Sequence, residues 1–151
     1  MFKIAVLISG NGSNLEALIH ACKKNVINGS VDIIISNNPD AYGIQRAKNH
    51  FINYKIIDNN RFETREDFDR ALVEELQDSN PDLIVLAGFM RILTPVMIEA
   101  FKNKIINIHP SLLPKYPGLD THNSVIKNGD LKHGVTTVSY THLTLPTNRE
   151  V

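Results

Sequence analysis

The sequence predicts a doubly wound α/β fold, a mostly parallel sheet with helices on both faces. Apolar, largely β-branched runs recur at residues 3–8, 31–35, 54–57, 83–87 and 104–108. Most of these runs lack polar alternation, the pattern of strands covered on both faces. Segments of helical period separate them, so strand and helix alternate along the chain.

Each element has a local reason. Residues 3–8 are apolar and end at Gly10-Asn11-Gly12. Residues 13–24 read as a helix because Leu15, Leu18, Ile19 and Cys22 share one face. Ser13 and Glu16 form a capping-box pattern at its start. Residues 40–49 suit a second helix with Ile44 and Ala47 inward. Residues 64–77 suit a third, with Phe68, Leu72 and Leu76 on one stripe and Thr64 and Asp67 as a capping pair. Pro81-Asp82 leads into the fourth strand, and residues 95–101 form a short helix before the fifth.

Composition narrows the class. A chain of 151 residues with 42% hydrophobic and 21% charged residues suits one globular domain. Lys+Arg and Asp+Glu both count 16, so charge gives no reason to expect nucleic acid or an anionic membrane as partner. The first apolar run is too short for a membrane span and lacks a signal-peptide cleavage region. The single cysteine, Cys22, cannot form an internal disulfide and fits a reducing, cytoplasmic compartment.

In open α/β sheets, ligands bind beyond the carboxyl ends of the strands. The segments to examine are therefore residues 9–14, 88–93 and 109–118. Gly10-Asn11-Gly12-Ser13-Asn14 joins a buried strand to a helix start, where N–H groups and a partial positive charge suit a phosphate. Leu15 occupies the third glycine position of a dinucleotide fingerprint, and the second strand ends in Ser36-Asn37 instead of an acid. A monophosphate fits better than a dinucleotide. Taken alone, the loop reads equally well as a tight turn before a helix. Asn107 and His109 are two apart on a strand and so point to one side. An amide N–H can hold a developing oxyanion and an imidazole can move a proton, the two tools of acyl transfer. Out of context, a His beside a Pro is more often structural.

Three segments, LISGNGSNLEALI, LAGFMRILTP and NIHPSLLPKYPGLDTH, resemble the folate-dependent glycinamide ribonucleotide (phosphoribosylglycinamide) formyltransferases in order and spacing. The resemblance runs from Met1 to about Thr137 and implies a Rossmann-like formyltransferase fold. It implies that Gly12, Ser13 and Asn14 bind the ribonucleotide phosphate. It implies that Arg65, Met90, Arg91, Ile92, Leu93 and Asn107 form the folate site, with Asn107 and His109 catalytic. The co-substrate implied is 10-formyltetrahydrofolate, with no metal. The partners implied are glycinamide ribonucleotide and folate; a homodimer is compatible with the sequence. Without the resemblance, Arg65 would be a solvated charge, Met90, Ile92 and Leu93 ordinary packing, and Arg91 a partner for any carboxylate. Pro114, Pro117 and Gly118 would shape a loop in any protein, and His122 and His133 have no assigned role.

The family's third catalytic residue is an Asp after the next strand. An ungapped alignment puts it near Leu145, and the sequence has no Asp after Asp130. Residues 1–137 are accordingly expected to form a formyltransferase domain lacking its C-terminal part, with its activity impaired by the loss of that Asp. Residues 138–151, VSYTHLTLPTNREV, are expected to be an artefactual tail outside the family. The competing readings are a non-catalytic nucleotide-binding fragment, another folate-linked formyltransferase, or a formyltetrahydrofolate hydrolase.

Overall fold

The computed structural model describes residues 1–109 and 136–139, with side chains through Ile108. The expected loop at residues 110–118, His122, His133 and most of the tail lie outside the described residues. The expected boundary after residue 137 falls within the last described strand.

The chain runs β1 (Lys3–Ile8), α1 (Ser13–Lys23), β2 (Ser30–Ser36), α2 (Gly43–Asn49), β3 (Asn53–Ile56), α3 (Arg65–Ser79), β4 (Leu83–Ala87), α4 (Pro95–Ala100), β5 (Ile105–His109) and β6 (Thr136–Ser139). A single 3₁₀ turn, Asn59–Arg61, precedes α3. The strands form one sheet in the order β3-β2-β1-β4-β5-β6. The first five are parallel, and β6 pairs antiparallel with β5. This is the predicted doubly wound arrangement.

Alternate residues of the central strands face two separate cores, which explains why the strands read as unbroken apolar runs. Ala5, Leu7, Ile84 and Leu86 pack with Phe68, Leu72 and Leu76 of α3 and Met97 and Ile98 of α4. Ile4, Val6, Ile8, Val85 and Ala87 pack with Leu15 and Ile19 of α1 and Ala47 of α2. Both apolar stripes expected on α1 and α3 are therefore used. The Cys22 thiol is half-buried, and burial pushes its pKa up, away from nucleophilic chemistry.

The ends of the elements differ from expectation in instructive ways. Helix α2 starts at Gly43, three residues late, because Asn38 Oδ1 accepts the Asp40 N–H and holds a turn there. Helix α3 reaches Ser79 and stops at Asn80, whose φ of 51° is left-handed. The expected cap of α3 forms: Thr64 Oγ1 accepts the Asp67 N–H at 3.0 Å. The expected capping box of α1 does not. Ser13 is already helical, Gly12 occupies the cap position, and no side chain caps it. The Glu16 carboxylate turns instead to Arg46, His20 and His50.

Candidate active site

The sheet's order reverses between β1 and β4, which places a crevice beyond their carboxyl ends. Leu7, Leu86 and Asn107 lie level in one row across β1, β4 and β5. Two residues further on, each strand reaches Ser9, Gly88 and His109. The register therefore brings the first residue of the first and third segments, Ser9 and His109, and the second segment from Gly88 to one edge; residues 110–118 lie outside the described residues.

The loop after β1 is shaped by Gly12, whose φ is +79°. A Cβ there would sit 2.9 Å from Gly43 Cα, so any side chain would force α1 and α2 apart. Arg46 of α2 clamps the same loop. Its Nε donates to the Asn11 carbonyl at 2.8 Å and its Nη2 to Asn11 Oδ1 at 2.7 Å. Its Nη1 reaches Glu16 Oε1 at 3.2 Å. Helix geometry leaves the N–H groups of the first turn of α1, at Ser13 and Asn14, without partners inside the helix. The arrangement suits a small anion.

Ser9 ties this loop to its neighbours. Its hydroxyl donates to Asn37 Oδ1 at 2.5 Å and accepts the Met90 N–H at 2.7 Å. Asn37 Nδ2 donates in turn to Asn59 Oδ1, and Asn38 Nδ2 to the Ser9 carbonyl. Three strand ends are thus cross-bonded, and the main chain at Met90 is fixed from β1.

The segment after β4 turns at Gly88, φ +73°. Met90 is exposed, Arg91 and Ile92 are half-buried, and Leu93 is buried. The Arg91 guanidinium lies 4.8 Å from the Phe68 ring centroid. Asp69 holds the end of the segment: its Oδ2 accepts the Thr94 N–H at 2.8 Å and the Thr94 hydroxyl at 2.7 Å. Arg65, exposed, begins the helix that carries Phe68 and Asp69. Asn107 is 1% exposed on β5, and His109 is the last residue of that strand. Among the expected site residues, the structure thus gathers Gly12, Ser13, Asn14, Met90, Arg91, Ile92, Leu93, Asn107 and His109 along one edge. Arg65 joins them through α3.

Ser9, Arg46 and Asp69 support the site and were not singled out from the sequence. Asp69 carried a signal, since it falls on the buried stripe of α3 beside Phe68 and Leu72. An acid on such a stripe needs hydrogen-bonding partners. Burial pushes its carboxyl above the ordinary range, and this outweighs the Thr94 hydrogen bonds and the Arg91 charge that pull it down. A raised pKa in the folded state means that stability is greatest below the unfolded pKa. It falls as pH rises through the folded pKa. Asp69→Asn should therefore gain stability relative to the parent as pH rises through that window, in urea unfolding measured at several pH values. A parent that gains on the variant over the same window would contradict this. Asp69→Ala strands both Thr94 donors and should lose about 1–3 kcal/mol.

A family model described as formyl transferase matches residues 2–143. The chain belongs to the formyl transferase family. Among its relatives in this family, phosphoribosylglycinamide formyltransferase of Escherichia coli (strain K12) is 51% identical over 131 residues, covering 87% of this chain and 62% of the relative. The Haemophilus influenzae enzyme of the same name is 48% identical over 136 residues, covering 90% and 64%. The crystal structure of glycinamide ribonucleotide transformylase 1 from Symbiobacterium toebii superposes with a TM-score of 0.86 at 40% identity. That match covers 95% of this chain and 67% of that structure. This formyl transferase chain thus spans somewhat under two thirds of the length of the two curated relatives. Among the described residues, no helix is long and apolar enough to cross a membrane.

Proposed function

We propose that this chain carries the nucleotide and folate halves of a site that transfers a formyl group from 10-formyltetrahydrofolate to the amine of glycinamide ribonucleotide, a step of purine synthesis in the cytoplasm. The observation that carries the reading is the alignment of the carboxyl ends of β1, β4 and β5 at the switch-point edge, where the loops after β1 and β4 begin. The names of relatives at 51% and 48% identity support the acceptor and the formyl group, and the resemblance of the sequence motifs to the folate-dependent enzymes supports the donor.

Gly12, Ser13 and Asn14 would hold the phosphate on the amides at the start of α1. Exposed Met90 and half-buried Ile92 offer apolar surface beside the Arg91 cation, which suits a flat, anionic folate. Leu93, Arg65 and Asn107 complete that site in this reading. The co-substrate supplies an activated formyl carbon. The substrate amine attacks it, the carbonyl oxygen takes the electron pair, and a tetrahedral intermediate forms. The Asn107 side-chain amide donates to that oxygen. His109 carries the proton from the attacking nitrogen toward the departing folate nitrogen, whose bond to carbon breaks as the carbonyl reforms.

A version of the chain extended to the relatives' length, with the family's Asp restored, should convert 10-formyltetrahydrofolate to tetrahydrofolate only when glycinamide ribonucleotide is present, with a formylated nucleotide as product. Release of formate without nucleotide would replace this reading with a hydrolase. Tight binding of both ligands without turnover would replace it with a binding module.

A further inference from the structure

Where α1 and α2 meet, on the face of the sheet that they cover, three potential metal ligands converge. Glu16 Oε2 lies 2.8 Å from His20 Nε2 and 2.6 Å from His50 Nε2. The three ligand atoms all lie within 4.8 Å of one another. We propose that Glu16, His20 and His50 form a binding site for a single borderline divalent cation, Zn²⁺ being the best match, outside the formyl-transfer centre.

The donor set is two imidazole nitrogens and one carboxylate oxygen, which suits Zn²⁺ and leaves a fourth position for water. Tetrahedral coordination at about 2.0–2.2 Å separates ligand atoms by roughly 3.3–3.5 Å. The two Glu16 contacts need to open by about 0.6–0.8 Å and the two imidazole nitrogens, within 4.8 Å of each other, to settle at the same separation, within reach of side-chain rotations. The supports are rigid. Glu16 and His20 are four apart on one face of α1, and His50 caps α2, its N–H donating to the Arg46 carbonyl. Little ordering entropy remains to be lost on binding.

The remaining neighbours set the affinity. Arg46 holds Glu16 Oε1 at 3.2 Å and so orients the carboxylate while leaving Oε2 to the metal. Lys23 Nζ lies 2.7 Å from His50 Nδ1. An ammonium only donates, so His50 now accepts at Nδ1 and carries its proton on Nε2. Metal on Nε2 requires the proton to move to Nδ1, and exposed Lys23 then swings into solvent. Two nearby cations, Arg46 and Lys23, oppose the ion and weaken its binding.

The test is calorimetric titration of the chain with Zn²⁺, with Co²⁺ absorption as the geometric probe. One equivalent should bind, and Co²⁺ should give tetrahedral visible bands. His20 is largely exposed, so His20→Ala leaves the fold intact, as circular dichroism would show. It and His50→Ala should each weaken Zn²⁺ by more than the roughly 10–100-fold that loss of an outer-shell partner costs. Lys23→Ala removes an opposing charge and should tighten binding by roughly several-fold. Zn²⁺ binding that is unchanged in His20→Ala, Co²⁺ bands of octahedral type, or weakening in Lys23→Ala would each overturn the assignment. None of these readouts depends on formyl transfer, so the site stands or falls apart from the proposed function.

Discussion

Asn107→Ala in a version extended to the relatives' length, with the family's Asp restored, should lower the rate of formyl transfer about 10²–10³-fold, the loss expected when one oxyanion donor is removed. The reason is local. Asn107 is 1% exposed and level with Leu7 and Leu86, in the row that leads to the switch-point edge. A donor fixed on a buried central strand costs no reorganisation when charge develops, and few water molecules compete with it there. The effect should fall on kcat, because the oxyanion exists only in the transition state and intermediate. His109→Ala should lower the rate by about 10² or more, and its pH profile should lose one limb. Steady-state kinetics with both variants would check this. A change confined to KM in Asn107→Ala would assign the side chain to ground-state binding instead.

Phe68→Ala should have the largest effect on stability, about 3–5 kcal/mol. Phe68 is fully buried, stacked on Phe89 at 6.4 Å and edge-on to Phe62 at 5.8 Å, with the Arg91 guanidinium over its ring. Its removal opens a cavity bordered by α3, β4 and the segment after β4. Against a typical total of about 5–15 kcal/mol, that loss is a large fraction of the fold's stability. It would also release Arg91 and Phe89, so binding at residues 90–93 should weaken together with stability. Urea unfolding of the parent, Phe68→Leu and Phe68→Ala would measure it. A loss below about 1.5 kcal/mol for the alanine variant would show that the site collapses and refills.

Legibility from sequence followed the range of the interaction. Strands β1 and β4 were readable because both of their faces are buried, so every residue carries the signal. Edge strand β3 is exposed throughout and starts one residue earlier than expected, because solvent imposes no pattern on it. The Thr64 cap is local and was readable. The box assigned to Ser13 and Glu16 was not, because Arg46 and His50 from across the chain, with His20 one turn away, claimed the carboxylate. Arg46 acts on a residue 35 positions away and Asp69 on one 25 away, so no local pattern announces their partners. The Ser9 hydroxyl, 81 positions from Met90, is the extreme case. Sequence thus pointed to candidate loops at one edge of the sheet, and tertiary contacts disclosed what holds the loops after β1 and β4 in place.

In a crystal structure of the extended version with glycinamide ribonucleotide and a non-reactive folate analogue, the phosphate should lie on the backbone N–H groups of residues 12–14. The folate ring should lie against residues 90–93, and the substrate amine beside Asn107 and His109 at the carboxyl edge of β5. A phosphate bound at the opposite edge of the sheet, or an amine remote from Asn107, would contradict the proposed site.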